Sequence, residues 1–554
     1  MLILLLVVSG CLFWRGFFDA RAGELKTYRS DLPEKILSMR GKILDRNGKI
    51  LAQSHEAYNL NCNPYQMENP ELFMNQISPI LNEDEQILLN KYKEITSNPK
   101  LLDVEVYSKM TEAQMERIKK LVKNSSICNY NFPLDQRREY PKRSTAAALI
   151  GWVGKDNTGL SGIEFAYNNI LAGIPGNKIY NRSFSGNKVP GSEEVLNLPD
   201  HGKNLVLTID EKMQSKIESI LAMHVEKANA KGGVAIVMNP KNGELLSMAS
   251  YPSFDLNEGS EYIGNTDYAN RAIAMNYEPG SIFKSITASA ALELGFIHPE
   301  EQFTCEGQIW IENKPIQCII SHGTQELADY VRNSCNVVFA QIGVKMGIHL
   351  LDFIQTFNFG SKLPFDLCDQ EAGILPPREG YSDLEAANVS FGTAISVTPL
   401  QMIYAYAAII NGGDYLKPIL IKEIQDSTGR TIQSFDREVL KKIISQETSS
   451  EIVTVLHNVV QNRNGCSQAK IPGIPIGGKT GTAKKSIDGQ YQDDKLMCSF
   501  VGFFPTDDPQ YLILVSIDEP HPSYGAYGST IAAPAFKNIA EWILRIEDQS
   551  NATQ

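Results

Sequence analysis

Ser281 and Lys284, in Glu278-Pro-Gly-Ser-Ile-Phe-Lys284, stand three residues apart at the head of an apolar run. A serine hydroxyl needs a base before it can attack a carbonyl, and a desolvated lysine can be that base. At a helix start this spacing puts both side chains on one face, with Cβ atoms about 5–6 Å apart. The N–H groups of such a terminus also favour a developing oxyanion. The spacing alone is a weak signal, because it recurs at Ser97 with Lys100, Ser185 with Lys188 and Ser467 with Lys470. The first pair encloses Pro99, the second lies in a Gly/Asn turn, and the third runs into Ile-Pro-Gly. Only Ser281 opens an apolar helix.

Two further clusters follow. Ser334-Cys335-Asn336 precedes the apolar run Val337-Val-Phe-Ala-Gln-Ile, and alone it reads as a helix cap. Gly477-Gly-Lys479-Thr480-Gly481-Thr482-Ala483 occurs once. Its small residues let a substrate backbone approach an edge strand, and Lys479 with Thr480 can hold a carboxylate. A phosphate loop would need GxxxxGK[ST], and the glycine spacing before Lys479 does not fit. The three clusters in this order are far more specific than any one of them. In this order they resemble the S-x-x-K, S-D-N and K-T-G set of β-lactamases and penicillin-binding proteins, with Cys335 in the middle of the second.

These residues need a rigid frame. Residues 234–238 and 244–249 flank Pro240-Lys-Asn-Gly243 as a hairpin, and 500–504 with 511–517 flank Pro505-Thr-Asp-Asp-Pro509 as another. Residues 281–294 predict a helix stopped by Gly295. Ile531, Phe536, Ile539, Trp542, Ile543 and Ile546 predict a closing amphipathic helix. Strands at both ends with helices between them predict an α+β fold, one antiparallel sheet covered by helices. Upstream, Asn47-Gly48 between two β-prone runs predicts a type I′ hairpin. Residues 81–123 read as helical and charged, with a capping box at Thr111-Glu-Ala-Gln114. Residues 151–191 are rich in turn formers and read as loops and connectors.

The 554 residues suggest about three or four structural units. With 52 Lys+Arg against 64 Asp+Glu, a net charge of −12 and a pI near 5.3, a general nucleic-acid binder is not expected. Nine cysteines and eight scattered histidines, with no CxxC and no HExxH, predict neither a disulfide scaffold nor a metal enzyme. Residues 1–18 form the one long apolar run, somewhat short for the about 20 residues a span needs. It reads as an uncleaved anchor with the remainder outside the cytoplasm, or as a lipobox at Val8-Ser-Gly-Cys11. The lipobox lacks a basic n-region, while Arg15, Arg21 and Lys26 follow the span against the positive-inside rule. A start upstream with a basic tail would answer both objections.

The chain resembles class B penicillin-binding proteins over nearly its whole length, and most closely their division-type, FtsI-like branch. Besides the three clusters, Arg40-Gly-Lys-Ile-Leu-Asp-Arg-Asn-Gly48 with Leu51-Ala52 resembles the family's opening motif, and Gly159-Leu-Ser-Gly-Ile-Glu164 through Leu171-Ala-Gly173 its pedestal motif. Ser390-Phe-Gly392 with Thr398-Pro-Leu-Gln401 resembles the stretch before the third cluster, and Asp518-Glu-Pro520 with Ala532-Ala-Pro534 points to the division branch. Cys335 departs from the small polar residue usual there, and PASTA repeats are absent from this sequence.

The resemblance implies a membrane anchor over residues 1–19, an elongated pedestal (dimerisation-like) domain over 20–200, a transpeptidase domain over 201–547 and a tail over 548–554. It implies a peptidoglycan D,D-transpeptidase of the bacterial inner membrane, single-pass, with the catalytic domain in the periplasm or otherwise outside the cytoplasm. Ser281 would attack the D-Ala-D-Ala stem peptide, or a β-lactam, with Lys284 as base. Ser334 and Lys479 would relay a proton, and Asn336 would hold Lys284 and the substrate amide. Thr480, Gly481 and Thr482 would bind substrate, and the backbone N–H groups of Ser281 and Thr482 would form the oxyanion hole. A SEDS-type glycosyltransferase and other divisome proteins would be partners, with no metal or other cofactor.

A D,D-carboxypeptidase or an elongation-type enzyme are the alternatives. A β-lactamase would need a deacylating glutamate, for which Glu385-Ala-Ala-Asn388 is the one vaguely similar run. A scaffold without activity does not fit the intact clusters. Finally, Cys305 and Cys318 flank a predicted hairpin turning near Asn313-Lys-Pro. They would form a disulfide in an oxidising compartment, or stay two buried thiols.

Overall fold

Seven consecutive buried residues, Gly232–Met238, fit only a strand covered on both faces. In the computed structural model they form the second strand of a five-stranded antiparallel sheet. The structure describes residues 28–29, 33–67, 69–96, 104–123, 130–183, 188–262, 264–462, 465–487 and 489–553. The expected anchor and the lipobox cysteine lie outside these residues. No single described helix is long and apolar enough to cross a membrane.

Two structural units are present: residues 1–42, 53–139 and 169–203 in one, and 43–52, 140–168 and 204–554 in the other. In the larger unit we number α1 (Glu211–Lys227), β1 (Gly232–Met238), β2 (Leu245–Tyr251), α2 (Lys284–Glu293), α3 (Asn336–Met346), α4 (Pro399–Ile410), α5 (Gln446–Gln461), β3 (Gly477–Ile487), β4 (Gln490–Phe504), β5 (Tyr511–Asp518) and α6 (Ala532–Thr553). The sheet runs β2-β1-β5-β4-β3, and each neighbouring pair is antiparallel. Both expected hairpins are there. Ala235, Val237, Phe500 and Val515 pack with Phe536 and Ile539 of α6 and Ile217 and Leu221 of α1 on one face. The alternate residues Val234, Ile236 and Met238 face the other way, and α4, buried along all twelve residues, packs on the sheet there.

Helix α2 is buried over Lys284 to Ala291, which its small Ser, Thr and Ala residues permit. It begins at Lys284 rather than Ser281, because Gly280–Ile282 forms a 3-10 turn first. Helix α6 extends through the predicted tail to Thr553, and Ile546 of its apolar stripe is exposed. Asn47-Gly48 does make a hairpin, but not a type I′ turn. Only Gly48 has a positive φ, +79°. The Asp45 carboxylate accepts the N–H groups of Asn47 and Lys49, each at 2.8 Å. Asp45 and Lys49 then close a type I turn with a left-handed glycine.

In the smaller unit, residues 53–58 pair with Leu134–Glu139 and residues 58–62 with Val104–Met110. Helices Pro70–Leu81, Glu85–Thr96 and Glu112–Lys123 bury Phe73, Ile77, Leu88 and Ile118 against Val104 and Val106. The strand Val104–Met110 interrupts what reads as continuous helix. The expected capping box holds: Gln114 accepts from Thr111 N–H at 2.9 Å, and Thr111 Oγ1 accepts from Gln114 N–H at 3.3 Å. Glu34–Ile36, Gly176–Ile179 and Glu194–Asn197 form a three-stranded sheet, so the turn-rich stretch holds short strands as well as connectors.

Candidate active site

Alternation along β3 puts Thr480 and Thr482 on one face of an edge strand. They line a cavity of about 860 Å³ together with Ser281, Ser334, Asn336 and His322. Every expected site residue therefore lies in or beside one place, although the chain separates Ser281 from Thr482 by 201 positions.

Glycines let the Ser281 turn sit against β3. Gly280 is left-handed (φ +55°), and its N–H donates to the Gly392 carbonyl at 2.9 Å. A Cβ on Gly392 (φ +82°) would lie 2.2 Å from the Gly280 carbonyl oxygen. Buried Tyr406 on α4 donates to the Ile282 carbonyl at 2.6 Å and accepts from Ser285 Oγ at 3.0 Å, which fixes the turn. Sequence reading gave Tyr406 no role, because a tyrosine in an apolar helical run looks like core.

Lys284 is fully buried and Lys479 is 1 % exposed. Lys284 Nζ donates to Asn336 Oδ1 at 2.7 Å, to the Ser334 carbonyl at 2.6 Å and to Ser334 Oγ at 3.1 Å. Lys479 Nζ reaches the same Ser334 Oγ at 3.1 Å. Ser334 Oγ thus sits between the amino groups of two lysines. Burial pushes the Lys284 pKa well below that of a solvated lysine, and the neighbouring Lys479 charge lowers it further. Burial also brings Lys479 down to about 8. Such a pair can hold one neutral amine and one cation near neutral pH, which is the equipment of a base and a charged hydrogen-bond donor.

Ser334 is left-handed at φ +52°, a conformation that costs a non-glycine residue about 1–2 kcal/mol. The strain turns its carbonyl and its hydroxyl toward Lys284 together. Asn336 opens α3, and its amide donates to the Gln317 carbonyl at 3.0 Å, so its Oδ1 faces Lys284. Gly528 N–H donates to Thr482 Oγ1 at 3.0 Å. Glu385 is committed elsewhere: it closes a capping box with Ser382, accepting that N–H at 2.8 Å.

The expected hairpin beside the site exists, with Gln308–Ile311 paired to Lys314–Gln317. Glu312 and Asn313 at its turn both have positive φ. The Cys305–Cys318 disulfide does not form. Every described cysteine is a free thiol, and Cys318 Sγ instead lies 3.7 Å from Cys335 Sγ. Cys335, Cys305, Cys318 and His322 lie together, a grouping the scattered sequence positions hide.

The chain matches the penicillin binding protein transpeptidase domain over residues 233–541 and the penicillin-binding protein dimerisation domain over 35–207. It is 35% identical over 507 residues to stage V sporulation protein D of Bacillus subtilis, covering 90% of this chain and 77% of that one. It is 28% identical over 529 residues to the peptidoglycan D,D-transpeptidase FtsI of Buchnera aphidicola, covering 95% and 89%. Its fold is similar to the crystal structure of penicillin-binding protein 3 from Mycobacterium tuberculosis complexed with aztreonam, with TM-score 0.72, 25% identity and 93% and 97% of the two chains covered. With a dimerisation domain ahead of a transpeptidase domain that spans more than half its length, this chain belongs to the class B penicillin-binding proteins.

Proposed function

We propose that this chain is a serine-type peptidoglycan D,D-transpeptidase that β-lactams acylate. One observation carries the reading: two buried lysines bracket Ser334 Oγ at 3.1 Å each, on the wall of the cavity that Ser281 lines. Neutral Lys284 takes the Ser281 proton as Oγ attacks the penultimate D-Ala carbonyl. The N–H groups of Ser281 and Thr482 hold the oxyanion. Ser334, polarised by Lys479, relays a proton to the leaving amine, and terminal D-Ala departs. Asn336 orients Lys284 and binds the substrate amide, while Thr480 and Thr482, with Gly481 between them, grip the carboxylate. The amine of a neighbouring stem then takes the acyl group.

The service is septal wall synthesis, on the FtsI-like sequence features. Residues 1–19 anchor the chain in the bacterial cytoplasmic membrane with the catalytic unit outside, and a SEDS-type glycosyltransferase and other divisome proteins are its partners. The apolar run at residues 1–18 and the dimerisation domain support this reading. A fluorescent penicillin should label the purified chain, and Ser281→Ala should abolish the label while circular dichroism stays unchanged. Equal labelling of Ser281→Ala would refute the assignment.

A further inference from the structure

Four side chains beside the catalytic cleft have no part in the acyl transfer: Cys305, Cys318, His322 and Cys335. Their ligand atoms all lie within 4.8 Å of one another. Cys318 Sγ is 3.7 Å from Cys335 Sγ, and Cys305 Sγ is 3.5 Å from His322 Nδ1. A tetrahedral zinc ion with Zn–S of about 2.3 Å and Zn–N of about 2.0–2.1 Å sets edges of about 3.8 Å for sulfur to sulfur and about 3.6 Å for sulfur to nitrogen. Both close pairs match those edges. A disulfide would need about 2.05 Å.

The backbone holds each ligand in place. Cys305 ends the strand Phe303–Cys305, which pairs with Gly323–Gln325 directly after His322. Ser321 Oγ donates to the Cys305 carbonyl at 2.9 Å, and Cys318 N–H donates to the Gly307 carbonyl at 2.8 Å. Val337 N–H, in the first turn of α3, donates to Cys318 Sγ at 3.4 Å, the kind of contact that supports a ligating thiolate. The excursion that carries three of the ligands has little core of its own. Ile311 and Ile316 of its hairpin cluster with Ala340 and Ala387, while Ile319 and Ile320 between the ligands are exposed.

We propose that Cys305, Cys318, His322 and Cys335 bind one structural zinc ion that clamps this excursion to the Ser334–Asn336 turn. Three thiolates and one imidazole favour zinc among the common divalent ions. Four protein ligands leave no open position, so the ion acts on geometry and not on substrate. Binding displaces the thiol protons to solvent. Cys335 stands between the strained Ser334 and Asn336, so its ligation fixes the two residues that hold Lys284. Cys335 is thereby a positioning residue. The binding site stands on its own geometry; its effect on acylation rests on the proposed function.

The test uses the purified full chain with reduced thiols. Metal analysis after dialysis against zinc should find about one ion per chain. Cobalt(II) in its place should show tetrahedral d–d bands and thiolate charge transfer. Cys305→Ser and His322→Ala should each weaken zinc retention by more than about 100-fold, beyond the about 10- to 100-fold that loss of an outer-shell partner costs. Removing zinc with a chelator should slow penicillin acylation at least about tenfold, and adding zinc should restore it. A reduced chain that retains no zinc, cobalt spectra without thiolate bands, or a Cys318–Cys335 disulfide that forms with zinc present would overturn the site. Unchanged acylation in the metal-free chain would overturn the positioning role. Metal binding is read without acylation, so a chain that binds zinc but resists penicillin would overturn the transpeptidase reading and leave the zinc site standing.

Discussion

Lys284→Arg and Lys284→Ala should both fold, yet acylate with penicillin about 10²- to 10⁴-fold more slowly than the parent. At pH 7, taking the proton from a solvated lysine costs about 4.6 kcal/mol, given a pKa of about 10.4. Burial and the Lys479 charge remove much of that cost by lowering the Lys284 pKa. An arginine keeps its proton above about pH 12, so it preserves the charge and loses the base. The same assignment fixes a pH profile. Lys284 must be neutral, so the rate climbs as pH rises through its lowered pKa and then levels. Lys479 must be charged, so the rate falls again above its pKa of about 8. Stopped-flow acylation from pH 5 to 10 reads both limbs. A rate still climbing at pH 10 would contradict the lowered lysine pKa, and Lys284→Arg within about tenfold of the parent would show that Lys284 is not the base.

Gly392→Ala should damage the site without touching a charged or nucleophilic group. The new Cβ would lie 2.2 Å from the Gly280 carbonyl oxygen and 2.7 Å from Phe283 Cβ, at a φ of +82°. Backbone must move, and the 2.9 Å bond that pins the Ser281 turn goes with it. We expect a loss of about 2–3 kcal/mol in stability, from left-handed strain plus overpacking. Acylation should fall by more than that loss explains. Gly429→Ala is the control: it is left-handed too (φ +93°), but nothing lies within 4 Å of its Cβ. It should cost about 1 kcal/mol and leave acylation unchanged. Urea unfolding with parallel acylation rates separates the two, and equal effects at both glycines would remove the close-approach argument.

What the sequence made legible follows from how tightly chemistry constrains it. A nucleophile, a lysine base and a β-strand of small residues need particular residue types at short spacing, so Ser281, Lys284 and the Lys479–Thr482 stretch could be read directly. Both sheet hairpins were legible too, because burial on two faces leaves continuous apolar runs. The Asn47-Gly48 turn was misread in type, because the Asp45 carboxylate two residues earlier selects another turn. The strand Val104–Met110 was missed because its buried residues, Val104, Val106 and Met110, keep no strict alternation within a charged stretch. The four-residue thiol and imidazole cluster escaped because its spacings of thirteen, four and thirteen positions match no short metal motif, and only folding brings them together.

The most direct test of the serine acyl-enzyme is intact-mass spectrometry of the chain after brief exposure to a penicillin, followed by peptide mapping. A single adduct per chain is expected, on the peptide that contains Ser281 and absent from Ser281→Ala. An adduct on another serine, Ser334 included, or unmodified protein at saturating drug would contradict it.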